Sequence, residues 1–345
     1  MAAHIKYKEQ LKFKRKNFRR ITGIDAEIKG SPKLFGFRNS SNFIVTTQGI
    51  GFKEYGKPLS VVDVRECPIF SSKTWEYLKA LKEFLKEENL KAWNLKGKSG
   101  DVHYLSVREG KFTREVMITL IAHIEKPPES FADYFSFADS LYWSFKADER
   151  DDPRGDSKLI AGKPYICEKI KDVVYLIHSN SFFQANSYAL PLLLKAVEEF
   201  TEGEKVLDLY SGVGTFGIWL AKMGFKVEGV EINPFAVEMA MKNAELNNIS
   251  AEFRAGDAST VSFSGFDTLI VDPPRKGLKE TAKLLAKSNV ENIVYVSCNP
   301  KAFVRDFEHL KSKYRIEDAL LIDMYPHTPH VEAVVRLVRR DYYCA

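Results

Sequence analysis

The sequence predicts an α/β catalytic half, a doubly wound parallel sheet with a terminal antiparallel hairpin, preceded by a separate α+β half. Three observations predict it. From about Ser181 onward, short apolar strands alternate with amphipathic helices, the pattern of a parallel sheet covered on both faces. Two closing strands near the C-terminus flank a turn containing Pro326 and Pro329, which suits an antiparallel hairpin at one edge of the sheet. Residues 1–180 instead mix β-rich runs with a single clear helix and show no regular alternation. The expected division is therefore 1–180 and 181–345.

In the first half, Asn42–Thr47, Leu59–Val64, Val102–Val107, Val116–Ile121 and Val173–Ile177 are rich in β-branched and aromatic residues and read as strands. Lys73–Glu88 places Trp75, Leu78, Leu81 and Leu85 at helical spacing between charges. The polar stretch Asp148–Gly155 reads as an exposed turn. In the second half, helix Tyr188–Phe200 leads into strand Lys205–Leu209, a glycine-rich turn and helix Thr215–Met223. Strand Lys226–Val230, helix Pro234–Asn247, strand Ser250–Arg254 and strand Thr268–Val271 follow. Helix Lys279–Lys287, strand Asn292–Ser297, helix Pro300–Leu310 and the strands Ala319–Met324 and Glu332–Val338 complete the series.

Composition narrows the class. The sequence has no apolar run long enough for a membrane span and no secretory signal at its start, so a cytoplasmic location is expected. Cys67, Cys167, Cys298 and Cys344 lie far apart without a CxxC pair, which fits neither a disulfide framework nor a self-contained metal site. The net charge is only +5, yet Lys6, Lys8, Lys12, Lys14, Arg15, Lys16, Arg19 and Arg20 crowd one short stretch. Such a run is commonly a solvated face. Interleaved Tyr7, Phe13 and Phe18 also suit phosphate contacts and base stacking.

The turn Asp208-Leu-Tyr-Ser-Gly212-Val-Gly214-Thr-Phe-Gly217 follows a strand and opens a helix, where backbone can approach a nucleoside ligand closely. Glu231, ending the next strand, is placed for ribose hydroxyls, and Asp257, after the third, for an adenine amino group. A nicotinamide dehydrogenase shares these features. Asp208 argues against it: a carboxylate sits poorly beside a pyrophosphate and well beside a sulfonium and an amino group. Three more motifs fall at strand ends, where ligands bind in open α/β sheets: Asp272-Pro-Pro-Arg275, Ser297-Cys298-Asn299-Pro300 and His327-Thr-Pro-His330-Val-Glu332. Alone, each has an ordinary structural explanation. Together on one rim they offer a thiol nucleophile, Cys298, and a carboxylate base, Glu332. That is the pair needed to add to carbon 6 of a uracil, methylate carbon 5 and remove the carbon-5 proton.

The arrangement resembles class I S-adenosylmethionine methyltransferases. The motifs DxYSGxGTF, DPPR, SCNP and PHTxHVE, in this order, look like the RNA uracil-C5 methyltransferase family acting on tRNA and ribosomal RNA, with archaeal members most similar. The resemblance implies that Cys298 is the nucleophile and Glu332 the base. Phe183-Gln184-x-Asn186 is similar to a family segment whose glutamine contacts the cofactor. By position, Gln184, Tyr210, Thr215, Glu231, Asp257 and Asp272 would surround S-adenosylmethionine. Ser31-Pro32, Gly36-Phe-Arg38-Asn39, Gly49-x-Gly51-Phe52 and Val64-Arg-Glu-Cys67-Pro68 are similar to the family's central RNA-binding domain, which implies RNA contacts for Arg38 and, in the basic block, for Lys14, Arg15 and Arg19. Many relatives carry an N-terminal β-barrel and an iron–sulfur cluster. Here only the counterpart of the fourth ligand, Cys67, is present, so neither cluster nor metal is expected. A monomer suffices.

Four alternatives follow from the same residues. Cytosine-C5 methylation would place a cysteine at the strand-four segment, which here reads Asp-Pro-Pro-Arg. Amino-group methylation would place an aromatic residue where Arg275 stands and leave Cys298 without a task. A catalytically inactive RNA-binding module would not need Cys298 and Glu332 together. A dehydrogenase leaves all three strand-end motifs unexplained. The expected activity is therefore methylation of uridine at C5 in RNA, with a tRNA T-loop uridine favoured over large-subunit ribosomal RNA.

Overall fold

A computed structural model describes residues 4–340. Cys344 lies outside the described residues. The chain opens with helix α1 (Tyr7–Thr22) and strand β1 (Glu27–Lys29), then runs through β2 (Ser40–Thr46), β3 (Gly49–Glu54) and β4 (Lys57–Asp63). Helix α2 (Thr74–Glu87), β5 (Val102–Glu109), β6 (Val116–Ala122), the short α3 (Phe131–Tyr134), β7 (Ser140–Phe145) and β8 (Asp156–Gly162) follow. A hairpin of β9 (Ile166–Ile170) and β10 (Val173–Ile177) precedes α4 (Leu190–Phe200), β11 (Lys205–Leu209), α5 (Thr215–Lys222), β12 (Lys226–Glu231) and α6 (Pro234–Leu246). The last third contains β13 (Glu252–Ala255), β14 (Thr268–Val271), α7 (Glu280–Leu285), β15 (Asn292–Ser297), α8 (Pro300–Leu310), β16 (Tyr314–Ile322) and β17 (Glu332–Arg339).

The chain divides into two compact units, and the division differs from the expected 1–180 and 181–345. The catalytic-type unit holds residues 1–34 and 170–175 as well as 181–345; the other holds 35–169 and 176–180. The first 34 residues go with the later unit for a physical reason. Phe18 and Ala26 are buried among Leu285, Phe303, Leu310, Tyr314 and Leu321 in the same apolar core. Burying Phe18 removes on the order of 2 kcal/mol worth of apolar surface from water.

The larger sheet has strand order β1-β16-β17-β15-β14-β11-β12-β13. All its pairings are parallel except those of β17, which runs antiparallel to β15 and to β16. The order reverses between β11 and β14, so the crevice above their carboxyl ends is the place such a fold offers a ligand. Strands β11, β14 and β15 are buried along almost their whole length, as expected of a sheet covered on both faces.

The second unit is a seven-stranded sheet, order β4-β3-β2-β5-β6-β7-β8, antiparallel except where β6 pairs with β7. Its core gathers Phe43, Phe70, Tyr77, Phe84, Leu105, Leu120 and Trp143 beneath α2. Cys67 belongs to that core, and burial pushes its thiol pKa up. Among the described residues, no helix is long and apolar enough to cross a membrane.

Candidate active site

The candidate reacting groups stand where they do because three strands end at one rim. Strand β14 stops at Asp272-Pro273-Pro274, since proline has no N–H to give to a ladder. Strand β15 passes directly into α8: Asn299 caps the helix by accepting from the Lys301 amide at 3.2 Å, with Pro300 in the first turn. Cys298 is thus fixed in a strand-to-helix corner. Ser297 of β15 is paired with Ala333 of β17. One step beyond that pair, Cys298 comes alongside Glu332, the first residue of β17.

The electrostatics confirm the proximity. The Cys298 thiol pKa stands raised at about 11: burial is the largest cause, the Glu332 and Asp272 carboxylates add to it, and the Arg275 guanidinium opposes by charge and by a hydrogen bond. Glu332 is 2% exposed, and burial with the nearby Asp272 carboxylate holds its pKa well above the ordinary carboxylate range, with Arg275 opposing. Burial also raises Asp272, which accepts a hydrogen bond at 3.2 Å from the Gln184 amide. At neutral pH the free site therefore favours an un-ionised thiol, and Glu332 holds a proton more tightly than an exposed carboxylate does, with Arg275 present to stabilise whichever anion forms. Chemically this is a nucleophile and a strong carboxylate base across a short gap, with a cation shared between them.

The glycine-rich turn lies at the neighbouring strand end. Gly212 has φ 55°, a conformation that favours glycine, and open space where a Cβ would stand. Glu231 accepts from the Gly212 amide at 3.1 Å and from the Asn233 amide at 2.9 Å, which fixes its carboxylate over the turn. Asp208 is fully buried. One of its oxygens accepts from Gly217 N at 2.9 Å, while Oδ1 has no partner among the described residues. Its pKa stands raised at about 8, by burial first and also by the charges of Asp272 and Glu231, against the lowering effect of the Gly217 hydrogen bond. A buried, half-satisfied carboxylate at the head of a glycine cradle fits a ligand that carries positive charge and hydrogen-bond donors, as the sulfonium and ammonium of S-adenosylmethionine do.

Several expected positions thus converge: Gln184, Asp272, Cys298 and Glu332 form one cluster, and Glu231 stands by the glycine turn. Tyr210, at φ 62°, instead bonds through its hydroxyl to Thr281 at 3.0 Å and packs against the core. Thr215 is buried as the first residue of α5, and its carbonyl accepts from Tyr175 at 3.1 Å. Asp257 is exposed and accepts from the Ser259 amide and hydroxyl, both at 2.8 Å. Arg275 was expected only as a departure from an aromatic residue; its placement straight after the Pro-Pro stop was the available signal for its contact with Cys298. Asp208 was used to choose between cofactors, and its orphaned oxygen is what three-dimensional packing adds.

The basic block needs one correction. Lys14, expected to contact RNA, is 2% exposed and paired with Asp323 at 2.6 Å, and it also donates to the Tyr325 carbonyl at 2.9 Å. An ammonium so enclosed has no access to a phosphate. The helical period turns Gln10, Lys14 and Phe18 inward, which a reading of charge alone did not register. Arg15 and Arg19 are exposed beside Asp25, at 3.0 and 3.8 Å. Arg38 belongs to the other unit, where its guanidinium donates to the Ser40 carbonyl at 3.2 Å.

Comparison with known proteins adds independent findings. Residues 251–340 match the family model described as tRNA (Uracil-5-)-methyltransferase, and residues 185–293 match a methyltransferase small domain. The chain is 59% identical over 338 residues to a 23S rRNA (uracil(747)-C(5))-methyltransferase of Pyrococcus horikoshii, covering 97% of this chain and 82% of the relative. It is 48% identical to a tRNA (uracil(54)-C(5))-methyltransferase of the same organism, with the same coverage. The crystal structure of the Pyrococcus abyssi tRNA (uracil-54, C5)-methyltransferase with S-adenosyl-L-homocysteine matches with a TM-score of 0.89 at 48% identity, over 98% of this chain and 85% of that one.

Proposed function

Because the chain belongs to the RNA uracil-C5 methyltransferase family and catalyses S-adenosylmethionine-dependent methylation of uridine at C5 in RNA, we propose that Cys298 and Glu332 perform the chemistry and that large-subunit ribosomal RNA is the substrate. The observation that carries the catalytic assignment is the β15–β17 register, which sets Cys298 beside Glu332 with Arg275 on the sulfur. Carbon 5 of uracil is not nucleophilic by itself. The Cys298 thiol gives its proton to solvent and the thiolate forms a bond to C6; the C5=C6 electron pair moves onto C5 and O4 as an enolate. When bound, S-adenosylmethionine would supply an electrophilic methyl group; C5 accepts it as the S–CH3 bond breaks and S-adenosylhomocysteine leaves. Glu332 then takes the C5 proton, the C5=C6 bond reforms and the C6–S bond breaks, returning the thiolate. A base with a raised pKa suits that abstraction, and Arg275 stabilises the sulfur anion at both ends of the cycle. Asp208, Gln184, Glu231 and Asp272 hold the cofactor, with Asp257, Tyr210 and Thr215 at its margins.

The sequence favoured a tRNA T-loop uridine. Three relatives named for ribosomal RNA are 59–60% identical to the chain, three named for tRNA 48–49%, over almost the same residues. That difference favours ribosomal RNA. An RNA substrate implies a cytoplasmic place of action. The test is methylation of separate ribosomal and tRNA transcripts, with nucleoside mass spectrometry. 5-Methyluridine from the ribosomal transcript is expected; its appearance only in tRNA would reverse the assignment.

A further inference from the structure

A polynucleotide that delivers one extruded base needs the phosphates beside that base held firmly. The catalytic unit carries a group of cations at that place, and all of them except Arg275 are residues the reaction itself does not use. The segments Arg275–Lys279 and Lys301–Arg305 contain five cationic side chains and no acidic one. One segment directly follows the strand end with Asp272, and the other begins three residues after Cys298. Lys276, Lys279, Lys301 and Arg305 are all exposed, and none forms a salt bridge among the described residues. Lysines on this protein otherwise often pair locally, as Lys283 does with Glu280 and Lys311 with Glu308.

The two segments are built as one piece. The Asn299 side-chain amide donates to the Arg275 carbonyl at 2.9 Å, and the Arg305 guanidinium donates to the Lys276 carbonyl at 2.6 Å. Beneath them Asp306, 1% exposed, accepts from the Leu278 amide and from the Tyr295 hydroxyl, both at 2.7 Å. Gly277 at φ 77° lets the loop close on that carboxylate: a Cβ there would lie 2.3 Å from it. Lys279 is held at φ 53°, ψ −121°, backbone that glycine adopts far more easily. A lysine there is strained, and strain of that kind persists where a surrounding structure imposes it. Rigid loops of exposed, unpaired cations bind a phosphate chain without first losing much conformational freedom.

We propose that Lys276, Lys279 and Lys301, braced by Arg305 and Asp306, form a clamp for the RNA phosphates flanking the extruded uridine. The clamp rests on the reading that the substrate is RNA. It is sequence-independent, so it holds the strand and leaves the choice of uridine to other contacts.

The test compares wild type with K276Q/K279Q/K301Q, with K279G, and with K205Q/K287Q, which removes two exposed lysines at the opposite end of the sheet. Kd for ribosomal and tRNA transcripts is measured from about 50 to 200 mM salt, beside KM and kcat for methylation. In the triple variant, Kd and KM are expected to rise about tenfold or more. The log–log salt slope should fall by about one per lost contact, while kcat and S-adenosylhomocysteine binding hold. K279G should lose part of the same slope with an unchanged or higher Tm, which separates phosphate binding from folding. An unchanged slope in the triple variant overturns the clamp, as does an equal loss in K205Q/K287Q. The underlying reading is read separately: a wild type that binds the transcripts but makes no 5-methyluridine refutes the reaction and leaves the clamp to the binding data, and one that binds no RNA refutes both.

Discussion

A thiol with a pKa near 11, next to two buried carboxylates, is mostly protonated at pH 7, so its ionised fraction sets how fast it reacts. That fixes the pH behaviour of the free enzyme. Below the pKa, the thiolate fraction rises about tenfold per pH unit, so alkylation of Cys298 by iodoacetamide should quicken by that factor from about pH 7.5 to 9.5. Measured by peptide mass spectrometry, a plateau near neutrality would mean that Arg275 outweighs the carboxylates. Asp208 is raised for the same reasons, burial first and neighbouring carboxylates next. Its folded pKa of about 8 lies above the roughly 3.9 of an exposed aspartate. Folding therefore favours the protonated form: this contribution is complete below about pH 4 and is lost as pH rises through about 8. Asp208→Asn should flatten the fall in apo-protein stability between pH 5 and 8 and abolish S-adenosylmethionine binding. Chemical denaturation across that range and calorimetric titration check the two halves, and an unchanged pH dependence would remove Asp208 as its source.

Among the elements, α1 departs furthest from what charge alone implies. Its inner face is pinned to the segment that leads into β17. Tyr7 donates to Asp323 at 3.0 Å, Lys14 pairs with the same carboxylate, and Gln10 accepts from the His327 amide at 3.0 Å. Asn186, two residues after Gln184, donates to the Met324 carbonyl at 3.1 Å and so ties the cofactor side to the same segment. Lys14→Ala would leave the buried Asp323 without its counter-ion, the Tyr7 hydroxyl and the Tyr325 amide still donating to it, and such a break costs about 3–5 kcal/mol. Urea unfolding should show that loss, with partial recovery in K14A/D323N, whereas a loss below about 1 kcal/mol would make the pair dispensable. The alternating strands and helices after Ser181 were legible because their periodicity is long and regular; β11, β14, β15 and α8 begin and end as the sequence implied. Helix α1 was not, because eight cations masked a buried face only three residues wide. Strands β1, β3, β7, β8 and β9 were missed as well; β8 is an edge strand whose exposed Lys158, Leu159 and Ile160 lack alternation.

For the whole molecule, the catalytic unit draws on both ends of the chain, and this the sequence could not indicate. Residues 1–34 and the β1–β16 pairing join it across nearly the full length. Sequence identifies strand-end chemistry because those motifs are local; it does not identify which distant segment completes a core, because that depends on shape. Cys298 and Glu332 were legible as residue types at a rim, while Arg275 on the sulfur and the Gln184–Asp272 bond required the register of β14, β15 and β17. The central claim is that one thiol and one carboxylate divide the reaction between them. The most direct test is incubation with S-adenosylmethionine and ribosomal transcript containing 5-fluorouridine, whose C5 fluorine cannot leave as a proton. A denaturation-resistant protein–RNA adduct should form, map to Cys298 and be absent in Cys298→Ala. On ordinary transcript, Glu332→Gln should accumulate the same linkage with the methyl group already transferred. An adduct at another residue, or turnover of ordinary transcript by Cys298→Ala at the wild-type rate, would contradict the account.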